Sequence, residues 1–221
     1  MENNRLYLLA FFFLAGPFYL NDFFSIYIEN WRWWLFLDIA GVKLVPFLVA
    51  LWLILNKKMR AAEFGLTSQP VPAFLATFVC VALIGTVLDQ NGYQLIAKLP
   101  GYSELGGMPT IISPIWNWID LTIGLLLVGI FEELVFRGYV HTLLTRYTRN
   151  PAAIVIISSV AFGLIHWSLG LRAVLITSMI GAVFMIAYLK TRSLPSIMLA
   201  HFVINFIDFA GVIPKSIFRF I

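Results

Sequence analysis

The chain has 221 residues, of which 61% are hydrophobic and only 12% charged, with 20 Phe, 7 Trp and 8 Tyr. A soluble domain carries about a quarter charged residues, so this composition excludes an ordinary soluble fold and points to a membrane protein. The net charge of +4 is spread over short loops. No basic face with interleaved aromatics builds up, so no nucleic-acid partner is expected and the bilayer itself is the expected environment.

Apolar runs punctuated by turns and charges place seven segments, at about 6–20, 33–55, 71–88, 115–145, 152–168, 171–189 and 194–212. Several approach the roughly 20 residues that cross a bilayer as a helix, and none shows the alternation of a membrane β-barrel. The expected fold class is therefore all-α, a polytopic transmembrane helix bundle of about seven helices forming one domain over 1–221. The N-terminal stretch "MENNRLYLLAFFFLAGPFYL" lacks an A-x-A cleavage pattern, with Pro17 just after Ala15-Gly16, and reads as a retained first helix.

The connectors alternate in basic content. Eight basic residues (Arg5, Lys57, Lys58, Arg60, Arg146, Arg149, Lys190, Arg192) fall on one side, and five (Arg32, Lys98, Arg172, Lys215, Arg219) on the other. That asymmetry favours a cytoplasmic N-terminus, in a bacterial-type cytoplasmic membrane. The longest connector, "DQNGYQLIAKLPGYSELGGMPTIISP", then lies outside as a plain loop, with a lid as the alternative. Cys80, the single cysteine, excludes an intramolecular disulfide and reads as inert packing.

Against this apolar background the stretch "IFEELVFRGYVH" stands out. A charge at bilayer depth costs at least about 2.5 to 3.5 kcal/mol on insertion scales, so such groups are functional candidates. Glu133 and Arg137 are four apart and face one another as an ion pair, whereas Glu132 points about 100° away. Glu132 is therefore the candidate general base, and Glu133 and Arg137 support the local structure. Downstream, "AFGLIHW" puts Phe162 and His166 on one helix face, and "LAHFVINFID" does the same for His201 and Asn205. Glu132 and His166 can together activate a water, while His201 and Asn205 donate hydrogen bonds to a developing oxyanion. The chemistry this suggests is hydrolysis without a covalent intermediate.

Three motifs, "EELVFR", "FGLIH" and "HFVIN", stand in order on apolar segments over residues 132–205. The chain thereby resembles the CPBP family of glutamate-dependent intramembrane proteases, also called the Abi or type II CAAX-protease family. The resemblance implies an intramembrane endopeptidase with a membrane-anchored or lipidated protein or peptide as substrate. It also implies water activation by Glu132 and His166 and an oxyanion site at His201 and Asn205, the assignment reached from spacing. Some members are described as metalloproteins, and a Glu/His/His set can bind zinc. With no HExxH or other close His pair here, no cofactor is expected.

Other polar residues have blander readings. Asp38 and Lys43, five apart, are expected to be a structural pair or interfacial residues rather than an ion pathway. Asp120, with Asn117 and two tryptophans, marks the membrane surface. Asp208 is a candidate for orienting Asn205 or His201, and His141 a helix-end residue. Straight spans would put His166 nearer the outer face than His201, with Glu132 between, spread over about 10 Å; broken or tilted helices, or a shifted topology, are the ways out. Two rival functions remain: a non-enzymatic immunity or partner-binding factor, and a proton-coupled transporter, against which the sequence shows no inverted repeat.

Overall fold

The computed structural model describes residues 2–220. Among them every regular element is helical. Seven helical segments run α1 (Glu2–Tyr27), α2 (Trp31–Leu55), α3 (Val71–Leu95), α4 (114–144), α5 (Pro151–Leu169), α6 (Leu171–Thr191) and α7 (Pro195–Ala210). Five of these, α1, α2, α3, α5 and α6, are long and apolar enough to cross a membrane, whereas α7 is apolar but shorter. Large apolar side chains such as Phe12, Phe13, Trp33 and Leu55 face outward. Such an exterior suits lipid, where backbone groups must be satisfied within each helix.

The chain marks several starts with helix-initiating residues. Asn30 caps α2 by accepting from the Arg32 amide at 3.0 Å, and Asn150 caps α5 through the Ala152 amide at 2.9 Å. Proline stands in the first turn of α3, α4, α5 and α7, where a missing amide hydrogen costs nothing.

The helices are not uniform. Asp38–Leu44 in α2, and Asp120–Gly124 and Leu134–Tyr139 in α4, are π-helical. At the end of α5, Leu164–Leu169 tightens into a 3-10 turn with His166 at a non-helical φ of −104°. Breaks of this kind recur at functional sites. Their freed backbone groups are taken up by neighbours, as burial in lipid demands. Tyr19 and Asp22 of α1 reach the α5 break, Tyr19 donating from Oη to the Ala161 carbonyl at 2.7 Å and Asp22 accepting from the Ser168 amide at 2.6 Å.

The long connector differs from the plain loop expected. Its first part continues α3 to Leu95, because Gln90 and Asn91 are buried. Asn91 clamps the C-terminal segment, donating to the Phe218 carbonyl at 2.7 Å and accepting from the Phe220 amide at 2.8 Å. Farther on, the connector is pinned to the turn that carries His166. The Leu105 amide donates to Ser168 at 2.7 Å, the Leu171 amide to Tyr102 at 3.1 Å, and the Tyr102 hydroxyl to Trp167 at 2.9 Å.

The central packing joins α5 to α6, α3 to α6 and α7, and α7 to α4. Small residues set the closest approaches. A Cβ on Gly129 of α4 would come within 2.8 Å of the Met198 carbonyl of α7, and one on Gly181 of α6 within 3.0 Å of the Phe162 ring. These two glycines let α7 and α6 close around the polar centre.

Candidate active site

The π-helical turn Leu134–Tyr139 begins directly after Glu133, and its residues are all buried. Glu133 and Arg137 are completely buried, and Arg137 Nη1 donates to Glu133 Oε1 at 3.0 Å. The pair is the one expected from the four-residue spacing. The guanidinium also lies over two aromatic rings, its carbon 3.9 Å from the Phe162 ring centroid and 4.9 Å from that of Phe184. Cation–π attraction strengthens when the cation is desolvated, so the rings offset part of the burial cost while Nε and Nη2 lack hydrogen-bond partners.

His201 of α7 completes the cluster. Its Nδ1–H donates to the same Glu133 Oε1, at 2.8 Å, leaving Nε2 3.8 Å from Glu132 Oε2. That gap is too long for a direct hydrogen bond. Glu132 is 7% exposed and its Oε2 has no protein partner. Glu133 is paired and tied into the framework through Oε1, its Oε2 remaining without a partner, and Glu132 has its Oε2 beside an imidazole nitrogen with no hydrogen bond formed.

His166 adjoins the same Phe162 ring. Its imidazole meets Phe162 edge-on at 5.6 Å between centroids, and His201 meets the same ring at 6.0 Å. Asn205, one turn beyond His201 on α7, is half-buried. Glu133 thus bonds both Arg137 and His201, Glu132 lies 3.8 Å from His201, His166 shares the Phe162 ring with His201, and Asn205 stands one turn along the helix that carries His201.

Two expectations are refined. Asp208 does not orient Asn205 or His201: it accepts from Gln90 Nε2 at 3.2 Å and Lys215 Nζ at 2.5 Å, which draws it to the end of α3 and the C-terminal segment. His141 packs edge-on against Tyr188 and is bonded to Arg192, as suits a residue near a helix end. The Glu133–His201 bond and the ring of Phe184 had no signal in the sequence, because both depend on how α4, α6 and α7 pack.

Glu133 Oε1 is occupied by Arg137 and by the His201 Nδ1 proton, and among the described residues no group of three or more His, Cys, Asp or Glu side chains is arranged to hold a metal ion.

The model of the family described as type II CAAX prenyl endopeptidase Rce1-like matches residues 114–207, somewhat under half of the chain. The match begins at the first residue of α4 and ends within α7, so it takes in every residue of this cluster. No curated protein and no solved structure matches the chain.

Proposed function

Starting from residues 114–207 as a type II CAAX prenyl endopeptidase Rce1-like domain, we propose that the protein is a glutamate-dependent intramembrane endopeptidase whose site is Glu132, His166, His201 and Asn205. The observation that carries this reading is the division of labour between adjacent carboxylates. Glu133 is tied through Oε1 to both Arg137 and His201, while Glu132's nearest charged partner is His201 Nε2, 3.8 Å from its Oε2; the Oε2 atoms of both glutamates are buried without a hydrogen-bond partner.

In the proposed reaction a water held by Glu132 and His166 loses a proton to Glu132 as its oxygen attacks the peptide carbonyl carbon. The carbonyl π electrons move to oxygen, and the oxyanion accepts hydrogen bonds from the Asn205 amide and from Nε2–H of protonated His201. Collapse breaks the C–N bond, and the proton held by Glu132 passes to the departing amine. Glu133 fixes His201 Nδ1 as a donor, so Nε2 is the nitrogen turned to substrate. No metal takes part in this scheme.

The substrate in this reading is a membrane-anchored or lipidated protein or peptide, concentrated by the bilayer next to a site walled by apolar helices. This reading takes the N-terminus as cytoplasmic, from the excess of basic residues in the connectors on that side. Comparison of membrane-protein termini by mass spectrometry, between cells with the wild-type protein and with Glu132→Gln, tests the reading. New termini that vanish in the variant support it. Unchanged termini, with the variant folded and its biological activity intact, defeat it in favour of a non-enzymatic membrane factor. Solute movement without cleavage by the purified protein decides for a transporter.

A further inference from the structure

Asp22 stands within α1 and is 7% exposed, and an ionisable group inside a membrane-spanning helix is a functional candidate. The cluster around Glu133 does not use it. Among the described residues Asp22 forms no ion pair, and its carboxylate accepts from the Ser168 amide at 2.6 Å. Ser168 lies two residues beyond His166, in the 3-10 turn that ends α5.

That bond falls on a peptide gripped from both sides. The same peptide unit, between Trp167 and Ser168, presents its carbonyl to the Tyr102 hydroxyl of the connector at 2.9 Å. A trans peptide is planar, with C=O and N–H pointing opposite ways, so a donor on one side and an acceptor on the other fix the orientation of its plane. Neighbouring bonds reinforce the grip. Trp167 Nε1 donates to the Tyr19 carbonyl at 3.1 Å, and the Leu105 amide donates to the Ser168 carbonyl at 2.7 Å. Gly170, at a φ of +95°, lets the connector pass this close, since a Cβ there would stand 3.0 Å from the Tyr102 carbonyl oxygen.

His166 is joined directly to Trp167, whose carbonyl and indole are both held. Its φ of −104° and ψ of 27° lie near the bridge region of backbone space, where active-site residues recur. A 3-10 turn advances about 120° per residue against about 100° in an α-helix, so rewinding this turn would rotate the imidazole off the Phe162 ring that it meets at 5.6 Å. Resting on the reading of His166 as a water-activating group, we propose that Asp22 and Tyr102 are positioning residues for His166. From α1 and from the connector they hold the Trp167–Ser168 peptide, and through it the direction of the imidazole. The connector is thereby part of what orients the site.

The chain holds three histidines, His141, His166 and His201, so the histidine-labelled protein in detergent is followed by its imidazole signals in a proton–nitrogen correlation spectrum, with His166→Gln to assign one of them. Asp22→Leu, which removes the acceptor at similar size, is expected to displace or split the His166 signal while His141, near the C-terminal end of α4, keeps its own. Asp22→Asn keeps a side-chain oxygen that accepts the bond and is expected to restore the signal. Tyr102→Phe, which deletes one hydroxyl from an exposed side chain, is expected to displace it less. In cells the Glu132-dependent termini should appear at least about tenfold more slowly with Asp22→Leu, and within about threefold of wild type with Asp22→Asn. An unmoved His166 signal in the folded Asp22→Leu protein overturns the proposal, as does a signal that Asp22→Asn fails to restore. An equal displacement of all three histidines marks general loosening and overturns it too. Should Asp22→Leu fail to fold, Tyr102→Phe carries the test, and an unmoved His166 signal there is the overturning result. A His166 signal displaced as expected while Glu132→Gln cells keep every terminus leaves the positioning standing and removes the hydrolytic reading instead.

Discussion

His201 and Arg137 share one oxygen atom: Glu133 Oε1 accepts from the imidazole at 2.8 Å and from the guanidinium at 3.0 Å. Through that atom the orientation of a residue on α7 depends on a salt bridge made wholly within α4. Replacing Glu133 by Gln removes the countercharge from a completely buried guanidinium. Breaking a buried pair from one side costs about 3–5 kcal/mol. Glu133→Gln is therefore expected to lower stability by about that amount in denaturant unfolding of the detergent-solubilised protein, and to reduce cleavage more than Glu132→Asp does.

Arg137 is held by its shape as well as its charge, with its guanidinium over the rings of Phe162 and Phe184. A lysine keeps the charge but neither the planar stack nor the fork. Arg137→Lys is expected to destabilise the protein by about 1–2 kcal/mol, the scale of a desolvated cation–π contact. Phe184→Leu should do part of the same damage. A thermal midpoint unchanged in both variants would show that the stacking contributes nothing.

Gly129 sets the distance between α4 and α7. Its missing Cβ is what keeps the Met198 carbonyl and the Phe202 amide from colliding with α4. Gly129→Ala is expected to cost about 1–3 kcal/mol through overpacking, and Gly129→Leu to separate His201 from Glu133. Cleavage assays beside unfolding curves check this, since activity should fall further than stability as the side chain grows.

Asp208 lies in a separate network with Gln90 and Lys215. Asp208→Asn is expected to leave kcat within about twofold of wild type, because its half-buried ion pair with Lys215 stands apart from the Glu133–His201 cluster. A large fall in kcat with unchanged stability would reinstate Asp208 as a partner of Asn205.

The order of helices was legible in the sequence, since a run of apolar residues of membrane-spanning length has few other solutions. All seven segments appear near their expected positions, and the Glu133–Arg137 pair follows from the helical repeat alone. The irregular turns were not legible. Nothing in "DIAGVKL" or "LVFRGY" distinguishes a π turn from an α turn, because the i to i+5 pattern arises from what packs against the helix. The same holds for the 3-10 turn at His166, which depends on Tyr19, Asp22 and the distant connector. Straight helices spread His166, Glu132 and His201 through the membrane thickness. A broken α5 and two widened turns in α4 are the departures from straightness that the expectation required.

The widened turn Leu134–Tyr139 holds one residue more than a regular turn would. Each residue turns an α-helix through about 100°, so removing a single amino acid there would swing Glu132 and Glu133 a quarter-turn or more away from the face set by Tyr139 and Val140. The direction in which this carboxylate pair looks is thus stored as an integer count of residues, and a deletion that spares every polar side chain would still disarm it.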